Sequence, residues 1–86
     1  MRFQYRQQVL DQLERHGVRP KTTTSPELLQ EFVSDLYRFE LRRLRKRYVR
    51  GEIKRIDYSS HVIALRKKYL LVSVPVDRWV LLQNES

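Results

Sequence analysis

Between Arg38 and Arg55 the chain sets nine lysines and arginines against two glutamates in eighteen positions. Such side chains hold anions: the arginine fork meets phosphate or carboxylate through paired hydrogen bonds, and lysine adds a compact point charge. The candidate anion-binding residues are Arg42, Arg43, Arg45, Lys46, Arg47, Arg50, Lys54 and Arg55. Two readings stay open, a grip on an anionic partner or a solvated charged face. Solubility alone is better served by mixed signs, because Arg38 and Arg42, Arg42 and Lys46, and Arg43 and Arg47 stand four apart. At that spacing like charges oppose a helix by about a few tenths of a kcal/mol per pair.

The imbalance is confined to one half of the chain. Of the net charge of +8, positions 1–37 contribute nothing, with five basic and five acidic side chains, so positions 38–86 carry all of it. Other chemistries are poorly supplied. The two histidines, His16 and His61, read as a helix-end residue and a surface residue, and His16 is expected to be partly positive against the helix dipole. Asp11 with Glu14, and Glu27 with Glu31 and Asp35, read as a solvated acidic counterpart to the basic half, not as a metal pair. No catalytic residue, metal ligand or cofactor is expected, and the chain reads as a non-enzyme. The absence of cysteine excludes disulfides and thiolate sites. With no secretory signal and no apolar run long enough to span a bilayer, a cytoplasmic location is expected.

The elements that must position the cations follow from spacing and breakers. Eighty-six residues make one domain, close to the size at which a single core leaves little stability to spare. Phe3, Val9, Leu10 and Leu13 recur at helical spacing, and Gly17 with Val18 reads as a left-handed stop, which predicts helix one over residues 1–17. Ser25, Pro26 and Glu27 form a start signal, and no breaker follows until Gly51, so helix two is expected over 25–50. Helix three is expected over 57–73 with Asp57 as its cap, and an apolar C-terminal segment over 75–82.

Helix two divides into two regimes. In its first half Leu28, Leu29, Phe32, Val33, Leu36, Tyr37 and Phe39 cover most of the circumference at about 100° per residue, which demands burial on several sides. In its second half only Tyr37, Leu41, Leu44 and Tyr48 align. Helix three repeats that spacing in Tyr58, Val62, Leu65 and Tyr69, so folding back about Gly51 pairs Tyr48 with Tyr58 and Tyr37 with Tyr69. This predicts a protruding antiparallel hairpin with a sleeve of cations on every side that the seam leaves free. Of the aromatics in the basic region, Tyr48 and Tyr58 fall on the seam, and only Phe39 faces away from it. Pro75 breaks any continuing helix, and the C-terminal segment is expected to run over early helix two and place Trp79 and Leu82 in the core. A short helix from Pro75 is the first form considered, and a small hairpin of LLVSV and RWVLL the second.

Residues 41–71 resemble the short C-terminal helical-hairpin (SHOCT-type) domains of bacterial proteins. The resemblance rests on Leu41 and Leu44 before the turn Gly51, Ile53 two residues later, Asp57 and Tyr58 opening the second helix, and Leu65 within it. Lys54, in place of a capping hydroxyl, and Ile56, in place of an acid, depart from the pattern. The resemblance implies an oligomerisation or interaction module.

The expected fold is therefore all-α, three helices with a long central one. The expected function is protein–protein association in a larger assembly, by self-association or docking of an acidic partner. Leu28, Phe32, Leu36 and Phe39 are the candidate apolar surface. The alternative is sequence-nonspecific nucleic-acid binding through the cationic hairpin.

Overall fold

The structure is a computed structural model and describes residues 2–81. It is all-α: α1 spans Gln7–Arg15, α2 Pro26–Val49 and α3 Arg55–Lys68, and two short 3-10 turns follow at Leu70–Ser73 and Val76–Arg78. The molecule is a rod of 57 × 17 × 17 Å. Its shape follows from α2, whose 24 residues reach about 36 Å at 1.5 Å per residue, further than the other elements can wrap.

Local chemistry accounts for the ends of α2. Ser25 is extended (φ −68°, ψ 132°) and accepts the Leu28 amide at its side chain, Pro26 occupies the first turn, and Glu27 faces the positive end of the dipole. At the other end Gly51 is left-handed (φ 78°), and the amides of Gly51 and Glu52 close back on the carbonyls of Tyr48 and Arg47. Gly17 (φ 75°) repeats that stop after α1, its amide and that of Val18 meeting the carbonyls of Glu14 and Leu13. A side chain at either position would be forced into the region that L-residues rarely adopt.

The core sits at one end of the rod. Val9 and Leu13 of α1 pack on Leu29 and Val33 of α2, with Tyr5, Tyr69, Leu71 and Trp79 closing around them. Trp79 is fully buried, and its indole N–H donates to the Val74 carbonyl at 3.0 Å. The same carbonyl accepts the Gln30 amide at 2.9 Å, so one acceptor ties the tail to α2. The distal half of the rod is the expected hairpin: Tyr48 stacks on Tyr58 with centroids 4.4 Å apart, and Tyr37 meets Tyr69 at 5.6 Å. Leu44 and Ile53 are buried there, whereas α3 itself contains no buried residue.

Three expectations about the elements need correction. Helix one starts at Gln7, because residues 2–6 are taken by backbone pairing: Tyr5 bridges Val80 antiparallel, Arg6 donates to the Trp79 carbonyl, and Leu81 donates to that of Gln4. The alternation of Phe3 and Tyr5 with polar neighbours is the period of an extended segment, and burial of Tyr5 outweighs helix propensity. Helix three begins at Arg55 after an extended Lys54 without a side-chain cap, so Asp57 lies in the first turn instead of capping it. It ends at Lys68, because Tyr69 (φ −110°, ψ 44°) leaves helical geometry to enter the core. The C-terminal segment is neither one helix to residue 82 nor a hairpin of LLVSV with RWVLL. Pro75 precedes a single 3-10 turn, and Trp79 to Leu81 run beside the N-terminal segment. Leu82 lies outside the described residues.

Candidate functional site

Two surfaces of α2 carry the candidate residues. Leu28, Phe32 and Phe39 project from its outer face, opposite the seam, and remain 61%, 48% and 54% exposed. At about 100° per residue they form one row, and Arg43, Lys46 and Arg50 continue it toward the tip. Leu36, expected in the same surface, is instead half-buried and packs against the core. The C-terminal tail, expected to cover early α2, covers the Leu29 and Val33 side alone.

The second surface is the sleeve on the distal arm. Arg42, Arg43, Arg45, Lys46, Arg47, Arg50, Lys54 and Arg55 are all exposed. The ion pairs among the described residues are Arg19 with Glu14, Arg38 with Asp35 and Lys68 with Glu40, so none of these eight cations has an acidic partner. Arg43 lies over the Phe39 ring at 5.8 Å. A groove of about 360 Å³ between α2 and α3 is lined by Glu40, Arg43 and Arg47 from α2 and by His61 and Lys68 from α3, with Leu44, Ala64 and Leu65 among them. Lys68 is engaged by Glu40, which leaves Arg43, Arg47 and His61 to face an anion in the groove. The mutual stack of Tyr48 and Tyr58 occupies one face of each ring, in keeping with a packing role on the seam.

No protein-family model, curated protein or solved structure matches the chain. The residues themselves therefore carry the functional argument. Among the described residues no cluster of His, Cys, Asp and Glu could hold a metal, and no helix is long and apolar enough to cross a membrane.

A polar cluster that the sequence reading missed joins the body to the arm. The Tyr69 hydroxyl donates to Glu40, which also accepts from Lys68 at 3.2 Å. His16 stacks on Tyr69 with centroids 4.4 Å apart and rings 10° from parallel, its Nε2 buried without a hydrogen-bond partner. Burial, then the hydrogen bond to Glu40 and the charge of that carboxylate, pushes the Tyr69 hydroxyl up to about 12. Burial alone would raise the Glu40 carboxyl, but hydrogen bonds from Tyr69 and Lys68 and the nearby positive charges outweigh it, and the net direction is down. A sequence signal existed: Glu40 is the one acid between Arg38 and Arg50.

His16 corrects an expectation. Burial first, opposed by the Lys68 backbone and then supplemented by the Lys68 charge, pushes its imidazole below the usual range. The folded state thus favours neutral His16, not the partly charged form a helix end would suggest. The unfolded chain takes up this proton earlier as pH falls, so the contribution is complete above the unfolded value of 6.5 and declines as pH drops through it toward the folded value. Glu40 adds a second loss below about 4.5. The denaturation midpoint is expected to fall between about pH 7 and pH 5 in the native chain and to stay flatter over that window in a His16→Gln variant. Parallel pH profiles for the two chains would remove His16 from this role.

Proposed function

We propose that this protein is a protein-association module that self-associates through the outer face of α2. One observation carries the reading: three large apolar side chains in one row on the longest helix are left about half exposed or more, while the tail closes the other side. Burying such a row on a neighbouring helix gives about 25 cal/mol per Å² of apolar surface removed from water. An isolated exposed leucine has no such meaning; three large apolar side chains along one face of a helix do. The resemblance of residues 41–71 to bacterial hairpin modules implies a role of the same class.

Sedimentation equilibrium tests it. The native chain is expected to gain mass with concentration, and a Phe39→Glu variant to remain monomeric with unchanged helical circular dichroism, because Phe39 contributes nothing to the buried core. A native chain that stays monomeric to about 1 mM, the range of the weakest useful associations, would sink the proposal.

A second reading, binding of nucleic acid through the arm, is favoured by the eight cations that have no acidic partner among the described residues and by the groove holding Arg43 and Arg47. The two readings use different surfaces of one rod and are compatible.

A further inference from the structure

We propose that α2 pairs with α2 of a second copy in antiparallel orientation and in one register, with Leu28 against Phe39 of the second copy and Glu31 against its Arg38. This rests on the self-association reading and specifies it. The positions on the outer face available to a neighbouring helix are Leu28, Phe32, Asp35, Phe39 and Arg42, in alternating steps of four and three, the spacing by which two helices interleave side chains. Glu31 and Arg38 lie on one flank of that row, seven residues apart, both on the exposed side of the helix.

In an antiparallel pair each flank meets the same flank of the other copy. The row therefore has a small set of interleaving registers, one heptad apart, and its charges discriminate among them. With the two-fold axis between Val33 and Ser34, Leu28 meets Phe39 of the second copy twice, and Glu31 meets Arg38 of the second copy twice. Sliding one heptad toward the N-terminus keeps an apolar contact, Leu28 with Phe32, but sets Glu31 against Glu31. Sliding the other way sets Arg38 against Arg38 and Phe32 against Arg42. Only the middle register pairs Leu28 with Phe39 and Glu31 with Arg38; it also sets Phe32 beside Asp35 of the second copy, whose carboxylate keeps Arg38 of its own chain at 3.1 Å.

A parallel pair fares worse, since it stacks Asp35 on Asp35 and Arg42 on Arg42 and lays the two cationic arms side by side. Arg38 already meets Asp35 of its own chain at 3.1 Å, and its five donors leave capacity for Glu31 of the second copy. Glu31 joins no ion pair among the described residues. The antiparallel pair points the two arms away from each other, so both cationic sleeves stay free and the particle carries two anion-binding ends. Like charge then favours the arrangement instead of opposing it.

The chain has no cysteine, so introduced thiols report orientation cleanly. Leu28→Cys and Phe39→Cys chains, mixed and oxidised, are expected to form mainly the mixed disulfide; a predominance of Leu28→Cys with itself would show a parallel pair and overturn the proposal. Glu31→Arg alone and Arg38→Glu alone are each expected to weaken self-association about tenfold, and an equimolar mixture to restore it, because the mixture re-forms both opposite-charge pairs. Helical circular dichroism of each variant separates misfolding from lost pairing. If the native chain dimerises but mixing restores nothing, the register is wrong and the self-association reading stands. If the native chain does not dimerise, both fall.

Discussion

Trp79→Ala is expected to cost about 3–5 kcal/mol, the usual result of emptying a fully buried aromatic site. Native domains have about 0.05–0.15 kcal/mol of stability per residue, so in a chain this small that loss is comparable with the total. The position is demanding for three reasons. Trp79 is fully buried, as are Leu13 and Val33. Its backbone carbonyl accepts the Arg6 amide at 3.0 Å, so the residue also pins the N-terminal segment. Its indole N–H satisfies the Val74 carbonyl, which otherwise keeps only Gln30. Urea denaturation followed by circular dichroism is expected to show a largely unfolded Trp79→Ala chain at zero denaturant. Trp79→Phe keeps most of the volume and loses the donor, so it should retain a cooperative transition at a lower midpoint. A midpoint unchanged in Trp79→Ala would mean that the tail is not part of the cooperative core.

The second large effect belongs to the arm. Replacing Arg43, Lys46, Arg47 and Arg50 together by glutamine is expected to flatten the salt dependence of duplex DNA binding from a log–log slope of about −4 to −5 to about −1, given roughly 0.9 per phosphate contact. Over a fourfold rise in salt the native chain would then lose roughly 500-fold in affinity and the variant about fourfold. The fold should survive, because all four side chains are exposed and none forms an ion pair among the described residues. Removing the like-charge spacings of Arg43 with Arg47 and Lys46 with Arg50 even favours the helix slightly. Fluorescence anisotropy across about 50–300 mM salt gives both slopes. An unchanged slope would remove these four residues from any phosphate contact, and absence of binding near physiological salt would leave the sleeve to an acidic protein partner or to solubility.

The two surfaces divide the labour of α2 along its length. The proximal half is rigid because one side is packed, which fixes the row of Leu28, Phe32 and Phe39 in space. In the distal half Leu44 and Ile53 are buried but α3 itself contributes no buried residue, so its cations are displayed on a thin two-helix arm. An arm with so little burial is expected to open locally at lower free energy than the body, a property suited to adapting to an irregular anion.

What the chain determined by local rules was the skeleton. Left-handed stops at Gly17 and Gly51, the Ser25 cap and the matched spacing of Tyr37, Leu41, Leu44 and Tyr48 with Tyr58, Val62, Leu65 and Tyr69 each depend on residues close in sequence or on one antiparallel fold-back, and they produced the long helix, the hairpin and both tyrosine pairs. The exposure of the cations followed as well, since a seam one residue wide leaves the rest of the circumference to water. Tertiary structure decided whatever depended on contacts between the ends of the chain. Residues 2–6 gave up a helix for pairing with 79–81, Leu36 was half-buried against the core, and burial disfavoured the charged form of His16. Periodicity ranks the faces of a helix by apolarity, but which face is covered depends on where distant segments lie. Here the tail and the N-terminal segment closed the Leu29 and Val33 side and left Leu28, Phe32 and Phe39 to solvent.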